Sequence, residues 1–154
     1  ARRRCFTRSF GRRTKDTTLD ASLLGLVFPA QQVAADDPRM TATVQCILRR
    51  CRVPAGLARY PGDRYSGRIT HGRLVTDGAG AWPWLSAWAA IVLVEQGRVR
   101  DAKREFESVG RLLRHGALPE QVHADGRASV TGLAAAQAFA VFAAERLGLL
   151  DGKR

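Results

Sequence analysis

Apolar residues recur at helical spacing through most of the chain, and caps mark where each run starts and stops. Asp20 stands as an N-cap before "ASLLGLVF", in which Leu23, Leu24, Val27 and Phe28 form one stripe, and Pro29 kinks or ends that run. "ADDPRMTATVQCILRRC" predicts a second helix, with Asp37 as N-cap, Pro38 at its first position and Met40, Val44, Ile47 and Leu48 along one face. "AWPWLSAWAAIVLVEQ" is apolar nearly all round and therefore predicts a buried helix closed by Gly97. Its amphipathic partner "RVRDAKREFESVGRLLRHG" turns Val99, Ala102, Phe106, Val109 and Leu113 inward and stops at Gly116. "GLAAAQAFAVFAAERLG" is a last helix, ending at Gly148. The order is helix, helix, long loop, helix, helix, loop, helix, and no stretch reads as a good sheet.

Between these runs the pattern breaks. Gly56, Gly62, Gly67, Gly72, Gly78 and Gly80, with Pro54 and Pro61, forbid a long helix over residues 53 to 80. Loops of that length inside a compact domain are usually functional. The unusual polar residues fall in the two loops that each follow a helical pair, "ARYPGDRY" and "LPEQV". In an array of packed hairpins alternate connections lie at the same end, so these two loops are expected to converge. Paired helices with one left over suit a helical repeat or bundle.

At 154 residues the chain is about one domain, and 45% hydrophobic content excludes a disordered one. The formal charge of +11 is uneven. Arg2, Arg3, Arg4, Arg8, Arg12, Arg13 and Lys15 crowd the first fifteen positions without an acidic residue. Residues 1–18 are therefore read as a basic, extended, solvated segment rather than a nucleic-acid arm, because no helix carries a basic stripe with interleaved aromatics. Asp16 and Asp20 interrupt its likeness to a signal peptide, and no run reaches the eighteen or so apolar residues that cross a membrane. Cys5, Cys46 and Cys51 have neither a CxxC spacing nor a nearby His, so they suggest neither a zinc site nor a disulfide framework. Cys46 and Cys51 read as small helix residues in a reducing, cytoplasmic setting. His71, His115 and His123 are scattered, and Asp77 and Asp125 sit beside glycines as turn residues do. Ala1 in the place of an initiator Met is read as a sign of a longer parent.

Five motifs in order, "LDASLL", "DDPRMTATV", "ARYPGDRY", "GAWPWLSAW" and "LPEQV", resemble glycoside hydrolase family 15, the glucoamylase and glucodextranase family. The similarity runs from about Phe6 to Leu147. It implies an all-α fold, helical hairpins forming part of an (α/α)6 barrel of the six-hairpin glycosidase type. Residues 1–154 would be the C-terminal part of one catalytic domain, with the N-terminal half of the barrel absent. It also implies inverting hydrolysis of α-linked glucosides or glucans, without metal or organic cofactor. The family's general base is the glutamate of an "EQ" motif in the last long loop, which here is Glu120, followed by Gln121 as a secondary residue. Arg59 matches a sugar-contacting arginine, and Tyr60 falls in the same motif. Trp82, or Trp84 in a shifted alignment, matches a pocket-lining aromatic. Asp63 reads as a brace for that loop or for Arg59.

The chemistry fits those residue types. An inverting glycosidase needs one protonated carboxyl at the leaving oxygen and one carboxylate that deprotonates water on the opposite face, roughly 6.5–9.5 Å away. A guanidinium is a planar fork for several hydroxyls, and an indole face suits the C–H face of a sugar. Two departures stand out. The acidic motif after a tryptophan that carries the family's general acid does not occur here, since Glu95, Glu105, Glu107 and Glu145 all lie in helical patterns. A Trp-Ser-His or Trp-Ser-Tyr stretch near the pocket is replaced by Phe139-Ala140-Val141. The isolated chain is therefore expected to be inactive and to self-associate through uncovered helix faces. The alternatives are a non-catalytic helical-hairpin fragment or binding module that has lost activity, with Glu120 a solvated loop carboxylate, and a nucleic-acid binder resting on the basic start.

Overall fold

Asp37 turns its carboxylate onto the Arg39 amide at 2.7 Å and Pro38 opens the helix, so α1 runs Pro38–Arg50. Arg49 and Arg50 occupy its last turn, where cations complement the helix dipole. Met40, Val44 and Ile47 are buried on one face, as their spacing predicts, and Leu48 is half-buried. Asp20 caps the preceding run in the same way, accepting from the Ser22 amide at 2.9 Å. That run is a 3-10 helix, Ala21–Leu26, rather than an α-helix. Its tighter winding still buries Leu23 and Leu24.

The computed structural model describes residues 5–10, 15–65, 69–70, 73–74, 80–113 and 116–150. His71, His115, Asp77 and the basic residues Arg2, Arg3, Arg4, Arg12 and Arg13 lie outside the described residues. The chain is mostly helical, and its strands are short two-residue ladders: β1 Ser9–Phe10 with β2 Lys15–Asp16, β3 Arg52–Val53 with β4 Gly56–Leu57, and β5 Ile69–Thr70 with β6 Arg73–Leu74. The start of the chain is thus partly a hairpin rather than simply extended. The glycine-rich stretch likewise contains two hairpins. Isolated two-residue ladders leave no alternating run of side chains for a sequence pattern to show.

The centre of the molecule is α2, Pro83–Glu95. It buries Leu85, Ala87, Ala89, Ala90, Ile91, Val92 and Leu93 against its neighbours. Each fully buried Leu, Ile or Val is worth about 1.5–3 kcal/mol relative to exposure. The neighbours are the 3-10 helix, β4, α3 (Val99–Leu113) and α4 (Ala134–Arg146). α1 and α3 each have one apolar and one polar face, whereas α2 and α4 are apolar around the circumference. α3 turns Ala102, Phe106 and Val109 inward as expected, and Leu113 is half-buried. Val99 is a correction: it is 44% exposed, because it opens α3 at the tip of the α2–α3 hairpin, beyond the end of the facing helix. On α4, Ala136, Ala140, Ala143 and Ala144 face α2, while Val141 and Phe142 are exposed. Trp88 is half-buried beside Gly25, where a Cβ would meet its ring at 3.2 Å, and Phe139 packs edge-on to it.

One charge pair crosses this core. Glu105 on α3 is nearly buried and pairs with Arg52 of β3, whose side chain is 42% exposed. Removing the cation leaves a carboxylate in an apolar setting, which costs more than the pair itself is worth. Arg52→Met is expected to lower stability to urea by roughly 2 kcal/mol, and adding Glu105→Gln should recover at least about half of that. A single-variant loss within about 0.5 kcal/mol of zero in urea unfolding would show that the pair is merely a surface contact.

Candidate active site

The two polar loops meet at one end of the helices, and backbone hydrogen bonds fix the meeting. Ala81 and Val122 exchange both of their bonds, each at 2.8 Å, and so splice the Glu120 loop to the entrance of α2. The Trp82 amide donates to the Leu57 carbonyl at 2.8 Å, joining β4 to the same point. The Gln121 side-chain amide donates to the Tyr65 carbonyl at 2.8 Å, tying the Glu120 loop to the end of "ARYPGDRY". The Glu120 loop is itself held in shape, with the Glu120 amide on the Val130 carbonyl at 2.7 Å and the Gln121 amide on Ser129 Oγ at 2.9 Å. Gln137 of α4 donates to the Leu118 carbonyl at 3.0 Å, which anchors the base of that loop.

Arg59 lies among aromatic rings. Its guanidinium carbon is 5.4 Å from the Trp82 ring centre, 5.0 Å from Tyr60 and 5.8 Å from Tyr65. Tyr65 stacks on Trp82 at 6.0 Å, with the planes 16° apart. Cation–π contacts of this kind hold a guanidinium in place while leaving its outer N–H groups for a ligand. Burial works against the Arg59 charge, but the Tyr60 hydroxyl, Asp63, Tyr60's own charge and Asp20 outweigh it and hold its pKa above the usual arginine value. The Asp63 side chain is wholly buried, takes the Tyr65 amide on Oδ1 at 3.0 Å and lies 3.8 Å from Arg59 Nε through Oδ2. It therefore holds the loop and the cation together.

Of the two tryptophans left open by the sequence, Trp82 stands with Arg59. Trp84 instead packs on Trp88 at 4.7 Å and Phe139 at 6.2 Å, among the helices. Phe139, in the stretch that replaces a more polar one, is thereby part of an aromatic cluster with Phe28 as well. Glu120 is half-buried, and its carboxylate makes no hydrogen bond or ion pair with the described residues. Asp125 accepts from the Arg127 amide at 3.0 Å, a turn role, and that bond and the Arg127 side chain hold its carboxyl below the usual range.

Sequence reasoning missed Tyr65 and His123. Tyr65 closes the "ARYPGDRY" motif, so its place was available to a reader asking which ring could cover Trp82. His123 is 7% exposed with neither ring nitrogen hydrogen-bonded to the described residues, and nothing in its local sequence signals that burial. Six of the ten buried side-chain polar atoms without a hydrogen bond among the described residues belong to Arg59, Asp63, Trp82, Gln121 and His123. A buried polar atom left without a partner costs about 1–3 kcal/mol, and here Arg59 Nε and Asp63 Oδ2 at least face each other as an ion pair. Among the described residues no group of three or more His, Cys, Asp or Glu is placed to hold a metal ion, and no helix is long and apolar enough to cross a membrane.

No family model matches the chain. Among curated proteins it is 28% identical over 122 residues to an uncharacterized glycosyl hydrolase of Methanocaldococcus jannaschii, covering 70% of this chain and 18% of that protein. It superposes on the solved structure of a wild-type glycosidase with a TM-score of 0.71 and 26% identity, over 89% of this chain and 38% of the other. A glycosidase variant with one glutamate replaced by alanine, in complex with glucose, matches with the same TM-score and coverage at 25% identity. The proteins it resembles are glycosidases. The chain spans under a fifth of the curated relative's length and under two fifths of the solved chains.

Gly80 sets how closely the loops approach. A Cβ there would fall 1.4 Å from the Val122 carbonyl oxygen and 2.7 Å from His123 Cα, both backbone atoms that cannot swing aside. Gly80→Ala should break the Ala81–Val122 pair, lower stability by at least about 2 kcal/mol and change the emission of Trp82. Gly110→Ala, in α3 with nothing within 4 Å of its Cβ, is the control and should be neutral or stabilising by about 0.5–1 kcal/mol. Equal effects of the two substitutions in urea unfolding would mean that the close approach is not maintained in solution.

Proposed function

We propose that this chain is the C-terminal part of a family-15-like glycosidase domain, with Glu120 as general base of inverting hydrolysis of α-linked glucosides. The supporting observation is the set of hydrogen bonds that seats the Glu120 loop against Trp82 and the Arg59 loop, from Ala81–Val122 and from Gln121 to Tyr65. A base that acts on water must be fixed in position yet keep its oxygens unengaged, and Glu120 combines a bonded backbone with a carboxylate that pairs with none of the described residues. Arg59, held by three rings, would offer its outer N–H groups to sugar hydroxyls, with Trp82 and Tyr60 beside it. Asp63 and Gln121 would act as braces.

The general acid would come from the part of the ring this chain does not supply. Glu95 and Glu145 are engaged with Arg146 of α4, and Glu105 with Arg52 of β3. Two-faced α1 and α3 alternating with the apolar α2 and α4 suit an outer and an inner layer of an (α/α)6 barrel. The exposed Val141 and Phe142 of α4 would then be covered in the closed ring, and uncovered they favour self-association. The cytoplasm is the proposed setting.

Two measurements test this reading. The chain alone should show no turnover of maltose or isomaltose. In the complete ring, Glu120→Gln should lower kcat at least about a hundredfold with KM little changed, because the amide preserves shape but cannot take the proton from water. Azide should restore part of the activity by replacing the activated water. Arg59→Ala should act chiefly on KM, since it removes contacts already made to bound sugar. A Glu120→Gln enzyme with kcat near wild type would reduce Glu120 to a loop residue.

A further inference from the structure

Two of the three cysteines, Cys5 and Cys46, are far apart in sequence but meet in space. Cys5 Sγ lies 3.2 Å from Cys46 Sγ, across 41 residues of chain. Both residues are half-buried, so a small reagent can reach them. The contact is not accidental to a loose end, because the next residue is also fixed to the same helix. The Phe6 amide donates to Thr43 Oγ1 at 2.9 Å, Thr43 Oγ1 donates back to the Arg39 carbonyl at 2.7 Å, and the Arg39 guanidinium sits 4.9 Å from the Phe6 ring centre. Thr43 and Cys46 are one helical turn apart on α1, so the segment meets the helix at two successive turns.

We propose that Cys5 and Cys46 are an oxidation site, a dithiol that closes reversibly to an intrachain disulfide and staples the N-terminal segment onto α1. Closing it requires the sulfurs to approach by only about 1.2 Å, to the usual bond length of about 2.05 Å. The oxidant is a small-molecule disulfide of the glutathione class. One cysteine thiolate attacks a reagent sulfur, forming a mixed disulfide and breaking the reagent's S–S bond, and the expelled reagent thiolate takes up a proton. The second cysteine, as thiolate, attacks the protein-bound sulfur, forms the Cys5–Cys46 bond and expels the other reagent thiol. Two protein thiols are oxidised and one disulfide is reduced to two thiols.

Cys51 is built differently. It caps α1, is 1% exposed, and burial followed by the charge of Asp20 pushes its thiol up to about 12, against a smaller opposing effect of Arg50. A thiol held protonated and out of contact is a poor nucleophile, so it serves as an internal control. The staple also bears on the site. Three residues on from Cys5, Arg8 pairs with Asp20 at 3.0 Å and lies 4.9 Å from the Tyr60 ring centre, and Tyr60 is one of the rings around Arg59. Closure of the bridge would therefore hold in place a segment that leans on that cluster. Nothing in this depends on the glycosidase reading, since the thiol contact is a property of the chain alone.

The test uses the full 154-residue chain, incubated with oxidised glutathione in native buffer and in concentrated urea, then acid-quenched, alkylated and peptide-mapped by mass spectrometry. In native buffer the expected product is a monomer about 2 Da lighter, with a Cys5–Cys46 linked peptide that dithiothreitol separates. It should form at least about tenfold faster than in urea, because the fold pre-positions the sulfurs. Cys51 should be alkylated only after denaturation, and Cys51→Ser should close the same bridge. Cys46→Ser should stop at the glutathione adduct of Cys5. Persistent glutathione adducts on wild-type Cys5 or Cys46, a native bridge to Cys51, only interchain links, or equal rates in both solvents would each overturn the proposal. The wild-type peptide map decides the matter even if a variant fails to fold.

Discussion

A helix with no polar face is stable in water only when every side of it is covered, and α2 is such a helix. Its cover is what organises the molecule. The 3-10 helix, β4, α3 and α4 all exist as packed elements because each places an apolar surface on α2. The 3-10 helix and β4 are far too short to be stable alone, and the 13-residue α4 and 15-residue α3 are no longer than the limit of about 12–15 residues below which isolated helices are marginal. Hydrophobic burial on α2 therefore supplies what local propensity alone cannot. It also fixes where the N-terminal end of α2 emerges. That end carries Ala81 and Trp82, so the core and the candidate site share one rigid reference.

From that end the site is assembled by main-chain bonds. Leu57 receives the Trp82 amide, Val122 exchanges bonds with Ala81, and Tyr65 receives the Gln121 side chain. Backbone pairing specifies distance without specifying side chains. Arg59, Trp82 and Glu120 can then be chosen for chemistry while the frame stays constant. The constraint appears at Gly80, where the approach leaves no room for a Cβ. The cost appears in the buried polar atoms of Gln121 and His123 that make no hydrogen bond with the described residues.

The helices were legible in the sequence because both periodicity and caps are local. Asp37 with Pro38, Asp20 with Ser22, and the 40–44–47 stripe could each be read within a turn or two, and each appears in the structure. The convergence of the loops was legible at one remove, from the order of hairpins. What was not legible depends on partners far along the chain. Glu105 looks like any helical glutamate until Arg52, 53 residues earlier, is placed against it. Cys5 and Cys46 have no spacing signature, because their contact arises from the N-terminal segment lying across α1. Val99 misled because periodicity does not say where the facing helix ends. The short ladders escaped because two residues carry no period, and the 3-10 winding because the six residues Ala21–Leu26 are too few for spacing to separate it from an α-helical turn.

The candidate site divides its tasks between a fixed cation and an unengaged carboxylate. Arg59 is surrounded by Tyr60, Tyr65 and Trp82 and set beside Asp63, so little conformational freedom is left for a ligand to remove. Asp63 is buried and so must remain close to the charge that compensates it. Glu120 has the opposite character. Its backbone is bonded into the loop, but its carboxylate engages none of the described residues. A carboxylate meant only to brace the loop would gain by pairing, and several arginines of this basic chain do pair with carboxylates elsewhere, at Asp20, Asp37, Asp101 and Asp125. A Glu120 carboxylate that none of the described residues engages costs the loop nothing it needs, and in the proposed reading its oxygens face a water. That contrast between neighbouring loops, one cation immobilised and one anion spared, is the physical form that the proposed sugar binding and proton transfer would require.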